Sequence, residues 1–127
     1  MIESLQIFIG IIFSSLTLLQ KKKEKVASFL MDVGNLIIEV ADNLEEDIYP
    51  HTACARMGIL VDNLPEVLKG TVDTDTIADL YEALNRARNI EGLYGDYKCA
   101  GDASRYLSEL RRLAGNFLGS ADILKTI

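Results

Sequence analysis

Apolar residues crowd together from Ile2 to Leu19 and afterwards return only at every third or fourth position. No side chain between Leu5 and Leu19 is charged. As a helix rising about 1.5 Å per residue, the stretch from Ile2 measures roughly 27 Å against a hydrocarbon core of about 30 Å, so it can just span a bilayer. Beyond it, Val26, Leu30, Val33, Ile37, Val40 and Leu44 recur at intervals of 4, 3, 4, 3 and 4. That spacing predicts one face of a long amphipathic helix with a coiled-coil-like seam. Residues 11 to 33 contain neither Gly nor Pro, so nothing in the composition obliges the backbone to break where the two patterns meet, and a continuous rod is allowed.

Punctuation then divides the rest. The residue before Pro50 is pushed out of helical geometry, and Pro50 itself suits the start of the next helix. Cys54, Met57, Leu60, Val61 and Leu64 mark the buried side of that helix, with Pro65 kinking or restarting it and Gly70 as its stop. Asp73 or Thr74 caps a helix that turns Ile77, Leu80, Tyr81, Leu84 and Ala87 inward. The segment GLYGDYKCAGD, with three Gly, reads as the longest connection. Asp102 or Ser104 caps a last helix whose apolar face runs from Tyr106 and Leu107 through Phe117 to Ala121. Nothing in the second half alternates with period two. The expectation is an all-α fold: an antiparallel bundle of about four helices, residues 26–127, preceded by a hydrophobic helix with a Lys-rich flank, residues 1–25.

Composition sharpens this picture. At 127 residues and 49% hydrophobic content, the chain has material for one buried core. The net charge of -6 is unevenly placed: Lys21, Lys22, Lys23 and Lys25 make the first 25 residues basic, while residues 26–127 hold 9 basic against 17 acidic groups. Such a body repels phosphate backbones, which excludes nucleic acid as an expected partner. No cleavable leader is expected, because the stretch before the apolar run has Glu3 and no Lys or Arg. Cys54 and Cys99 are too few for a disulfide framework and are expected to be free and largely buried.

The opening helix carries the main functional expectation. Its apolar side comprises Ile7, Phe8, Ile11, Ile12, Phe13, Leu16, Leu18 and Leu19. Gln6, Gly10, Ser14 and Thr17 follow Glu3 at intervals of 3, 4, 4 and 3 and form a small, polar stripe suited to close contact with another helix. The alternative is a strut buried within a soluble bundle. The cluster Lys21, Lys22, Lys23 and Lys25 directly after the apolar run favours a membrane helix with the bundle on the cytoplasmic side.

Other constellations carry less. His51, Cys54 and Cys99 allow a Cys–Cys–His zinc site to be drawn, but there is no CxxC pair, and a structural corner is the expected role. A Cys on the apolar face of a helix is usually an inert nucleophile, so no catalytic residue, metal or cofactor is expected. The acidic runs at Glu45 to Asp47 and Asp73 to Asp75 lack alternating oxygen ligands and read as solvated faces and caps. Tyr94 and Tyr97, set among Gly, are either a contact patch for a protein partner or rings folded back onto the bundle.

The sequence YPHTACARM…LPEVL resembles small bacterial proteins without an assigned activity, in which a hydrophobic N-terminal helix precedes a helical bundle, and the likeness covers most of residues 26–127. It implies the architecture and no activity. The layout also looks like membrane-permeabilising bundles of the HeLo kind, an analogy of fold only. The expected function is a membrane-tethered interaction or scaffold module that self-associates through its N-terminal helix. The alternatives are a permeabilising effector and a soluble homo-oligomer that buries the same helix.

Overall fold

The computed structural model describes residues 2–86 and 88–127, and of residues 90–93 the backbone alone. The described residues form helices and no strand: α1 (Ile2–Ser14), α2 (Leu16–Leu19), a 3-10 turn (Gln20–Lys22), α3 (Lys23–Glu45), α4 (His51–Leu68), α5 (Thr74–Arg86), α6 (Ile90–Cys99) and α7 (Ala103–Thr126). The all-α expectation holds.

The two longest helices form the spine. All six seam residues of α3, from Val26 to Leu44, are buried, as are Leu107, Leu110, Leu113, Ala114, Phe117 and Ala121 of α7. The helices run antiparallel. At one end the Arg111 guanidinium donates to Asp42 and Glu45, each at 2.8 Å, and at the other the Lys125 ammonium lies 3.3 Å from the Met31 sulfur. Between these ends Gly34 admits α7 closely: a Cβ there would lie 3.0 Å from Leu118 and 3.2 Å from the Ala114 carbonyl oxygen.

The punctuation falls as expected, with refinements. Helix α3 ends in a Schellman arrangement, with Ile48 N–H donating to the Asn43 carbonyl and Asp47 N–H to that of Leu44, and Asp47 takes the left-handed position at φ 57°. Helix α4 begins directly after Pro50 and continues through Pro65 without restarting. Gly70, at φ 82°, closes the following turn. Asp73 accepts from Thr76 N–H at 2.7 Å, and Asp102 from Arg105 N–H at 3.1 Å, so both caps are side-chain carboxylates. On α5, Leu80 and Leu84 are buried and Ile77 and Tyr81 half-buried, while Ala87, also expected inward, lies outside the described residues.

Three features depart from the sequence pattern. The expected rod is broken: α1 and the helical segment from Leu16 onward meet at 71°. Ser14 turns its hydroxyl back to the carbonyls of Gly10 and Ile11, at 3.2 and 2.9 Å, and Ser15 leaves helical geometry at φ -108°, ψ 5°. The back-bonded Ser14 hydroxyl and the non-helical Ser15 backbone thus mark the break where no Gly or Pro stands. The second departure follows from the first. Helix α1 folds back against α5 and α7, burying Leu5, Phe8, Ile9 and Ile12 in the same apolar cluster as the bundle, and Phe8 stacks on Phe117 with ring centroids 5.5 Å apart. The cluster therefore runs without a gap across residue 25. Third, most of the expected long connection at residues 92–102 is helical, as α6.

Two glycine substitutions test this geometry by urea unfolding. Gly34→Ala is expected to destabilise the protein by about 1–3 kcal/mol, because the new methyl meets a backbone oxygen that cannot easily give way. Gly10→Ala meets nothing within 4 Å and is expected to stabilise helix α1 by up to about 1 kcal/mol. Equal effects at the two positions would refute the close α3–α7 approach. Phe8→Ala is expected to cost about 3–5 kcal/mol; a loss below 1 kcal/mol would show α1 undocked.

Candidate functional site

Docking divides the apolar residues of the N-terminal segment between two faces. Phe8, Ile12 and Leu19 are buried and Ile11 and Leu16 half-buried, whereas Ile7, Phe13 and Leu18 point outward with 54%, 45% and 56% of their surface exposed. Gln6, Gly10, Ser14 and Thr17 are all exposed too. On α1 the exposed Gln6, Gly10 and Ser14 thus share a side with Ile7 and Phe13, while Thr17 and Leu18 are exposed on α2, beyond the 71° bend. From Gln6 to Leu18 no side chain is charged, and Ile7 borders a depression that also holds Asp79, Glu82 and Arg86 of α5. Gly10 leaves bare backbone, with no atom within 4 Å of where a Cβ would sit.

The basic flank follows at once. Lys21 and Lys25 are exposed; Lys22 and Lys23 are half-buried, and the Lys22 ammonium donates to the Lys69 carbonyl, which ties the turn to the C-terminal end of α4. Lys21 lies in the 3-10 turn after Leu18 and Lys25 in the first turn of α3, so the cations follow the uncharged stretch closely along the chain. Among the described residues no single helix is long and apolar enough to cross a membrane. Helix α1 joined to the segment Leu16–Glu45 meets that length and composition only across the 71° bend. With 13 residues, α1 alone covers only about 20 Å.

At the opposite corner, Tyr94 and Tyr97 are half-buried, and both rings pack on other rings of the chain. Tyr94 lies 4.8 Å from the Tyr49 ring, and Tyr97 lies 5.8 Å from Tyr106. Tyr49 in turn packs at 4.5 Å on His51. The Asp47 carboxylate accepts from the Lys98 ammonium at 2.7 Å and the Tyr94 hydroxyl at 3.1 Å. The Lys98 bond, then the Tyr94 bond, hold Asp47 below the usual carboxylate range, and the Asp47 bond in turn raises Lys98. These contacts fasten α6 to the α3–α4 turn, which is why a Gly-rich segment forms a helix.

The thiols differ in their surroundings. Cys54 is buried and Cys99 exposed, a correction to the expectation that both are largely buried: α6 turns Cys99 to the surface. His51, Cys54 and Cys99 form no metal-binding group, and among the described residues no three His, Cys, Asp or Glu side chains are gathered in a way that could hold an ion. Burial pushes the Cys54 thiol up to about 11. Burial, with the charges of Asp96 and Glu109, pushes the Tyr106 phenol up to about 12, and its hydroxyl oxygen is buried with no hydrogen-bond partner among the described residues. Sequence spacing gave no signal of this orphan hydroxyl, because Tyr106 reads simply as part of the apolar face.

The chain matches no family model, no curated protein and no solved structure.

Two measurements follow from the titratable groups. Cys54 and Tyr106 are acids whose neutral forms the fold favours, with ordinary values of 9.0 and 10.0 raised to about 11 and about 12. Their contribution is complete below pH 9 and is lost as the pH climbs towards 12. Urea midpoints are therefore expected to fall across that alkaline window, and Tyr106→Phe is expected to flatten the fall and add about 1 kcal/mol at neutral pH by removing the unpaired hydroxyl. A Phe variant less stable than wild type would reveal a partner for that hydroxyl. Thiol labelling of folded protein at pH 8 should consume one equivalent quickly, at Cys99, and a second only on denaturation.

Proposed function

We propose that the protein is a non-enzymatic helical adaptor that adheres to an anionic membrane surface on the cytoplasmic side through the outer face of α1 and the lysines that follow it. The observation that carries this reading is the exposure of Ile7 and Phe13 on α1 and of Leu18 on α2, in a stretch with no charged side chain from Gln6 to Leu18 that Lys21 and Lys25 follow. A helix with apolar residues on one side and cations at its border is suited to lying in the headgroup region rather than crossing it.

Magnitudes favour lying over spanning. Burying Leu5, Phe8, Ile9 and Ile12 is worth about 1.5–3 kcal/mol for each side chain, and pulling α1 out would also uncover Phe117 and the faces of α5 and α7 that it protects. In-plane adherence keeps those contacts. Each half-exposed apolar side chain adds on the order of 1 kcal/mol, and each lysine near an anionic surface about 1 kcal/mol. The sum describes a reversible, salt-sensitive attachment.

A second reading has its own support. The bare backbone at Gly10, one turn before Ser14, is the geometry that lets two helices approach closely, so the same face serves a homo-oligomer in which two α1 helices pack together.

Flotation with vesicles of phosphatidylcholine and phosphatidylserine separates these readings. Full-length protein is expected to bind at low salt and to be released by about 0.5 M salt, at which ionic screening is strong. Ile7→Ser with Phe13→Ser and Leu18→Ser should abolish binding without unfolding the protein, and Lys21→Glu with Lys25→Glu should weaken it at least tenfold, the equivalent of about 1.4 kcal/mol. Absence of binding by wild type would refute the adaptor reading. Gly10→Leu with Ser14→Leu leaves the face apolar but fills the gap. Loss of a cross-linked dimer in that variant, in protein that does not float, would instead establish the oligomer.

A further inference from the structure

The spine helix α3 carries a second stripe beside its buried seam, and α4 repeats the spacing. From Lys25 to Leu36 on α3, and from Arg56 to Val67 on α4, positions recur at intervals of 3, 1, 3, 3 and 1 and line two adjoining depressions of about 590 and 370 Å³. Asp32 and Leu60 belong to both depressions, so the two make one groove. The helices run antiparallel along it: residues near Lys25 face those near Val67, and Leu36 lies toward Arg56. Twelve residues of α3 rise about 18 Å, which fits about three turns of a helix laid alongside.

The floor is apolar and the rim acidic. Phe29 and Leu36 are nearly covered at the bottom, Leu60 and Val67 are half-buried, and Ile59 stands 62% exposed at the lip. Glu24, Asp32 and Glu66 stand along the rim, and none forms an ion pair among the described residues. Arg56 is already neutralised by Glu39 at 3.1 Å, which leaves Lys25 as the rim's one cation without an ion pair among the described residues. The groove thus offers apolar area on its α4 side, at Ile59, Leu60 and Val67, and a net negative edge. No residue of α1 lines it.

We propose that this α3–α4 groove is a docking site for an amphipathic helix of a protein partner, with an apolar stripe flanked by Lys or Arg. Apolar anchors of the partner, spaced i, i+3, i+4 and i+7, cover Ile59, Leu60 and Val67, while its basic flanks meet Glu24, Asp32 and Glu66. The charge requirement sets the occupant apart from α1 of a second copy, whose outer face carries no cation from Gln6 to Leu18.

Full-length protein and fluorescent synthetic peptides test the proposal by anisotropy, without lipid. One peptide carries Leu at i, i+3, i+4 and i+7 with Lys flanks; the second has the same Leu positions with Glu flanks. The Lys peptide is expected to bind at least tenfold more tightly than the Glu peptide, with the preference shrinking as salt screens the rim. Asp32→Lys with Glu66→Lys, both at exposed sites, should reverse the preference. Ile59→Asp should weaken both peptides. Equal binding of the two peptides, no binding of the Lys peptide, or an unchanged preference in the charge-reversed protein would each overturn the proposal. A concentration-dependent dimer abolished by Ile59→Asp, in protein that ignores both peptides, would overturn it in favour of a second copy in the groove. Because no step involves a membrane, failure here leaves the α1 reading untouched, and failure of vesicle flotation leaves this one untouched.

Discussion

The close approach of α3 and α7 at Gly34 is the constraint on which the rest of the molecule is built. With hydrogen in place of a methyl, the α7 backbone comes near enough for Leu118 and the Ala114 carbonyl to lie where a Cβ would collide. That closeness lets two long seams bury each other fully, and every other helix then packs on one of the pair or on its neighbours: α4 on α3, α1 on α7, and α5 between α1 and α4. Ion pairs from Arg111 to Asp42 and Glu45 fix the register, although such exposed pairs contribute only about 0–1 kcal/mol each. The apolar contact supplies the stability, and the charges select among sliding alternatives.

The hydropathy of the opening segment has a physical cause once the bend is known. A surface helix needs one apolar stripe, yet this one is apolar nearly all round, which in an isolated sequence signals lipid or full burial. The 71° bend at Ser15 resolves the ambiguity by giving the two sides different tasks. One side replaces solvent over Phe117 and completes the core. The other is left with Ile7, Phe13 and Leu18 in the open. Exposed apolar groups occur singly on any protein surface, but here three of them fall within a short uncharged stretch that precedes a lysine cluster, and that arrangement is what the proposed function rests on.

Much of the fold was legible from spacing alone. The seam of α3, the wide face of α7, the Asp73 and Asp102 caps and the Gly70 stop all rest on local rules: period, capping and left-handed turns. What stayed hidden depended on contacts between distant segments. Helix α6 contains Gly, and the tilted packing of Tyr94 on Tyr49 and of Tyr97 on Tyr106, with Lys98 bonded to Asp47, supports helical geometry there. The break at Ser15 has no Gly or Pro, and a pair of serines inside an apolar run is a weak signal. Of the surface features, the spacing of Gln6, Gly10, Ser14 and Thr17 was visible, but which side of the helix they would share was not. The groove between α3 and α4 was invisible, because its positions look like ordinary polar-face residues until two helices are set side by side.

Charge decides how these surfaces can be used together. The body beyond residue 25, with 17 acidic groups against 9 basic, is repelled by an anionic bilayer over roughly the 8 Å reach of ionic forces at physiological salt. On the proposed reading only the turn with Lys21 and Lys25 attracts such a surface, so adherence there would be oriented without a spanning anchor. Along the α3–α4 groove the sign is reversed except at Lys25, since Glu24, Asp32 and Glu66 oppose anionic headgroups while favouring a basic helix. Both proposals therefore rest on the same division of labour, in which charge selects the partner and apolar contact holds it, and Lys25 lies where the two surfaces meet.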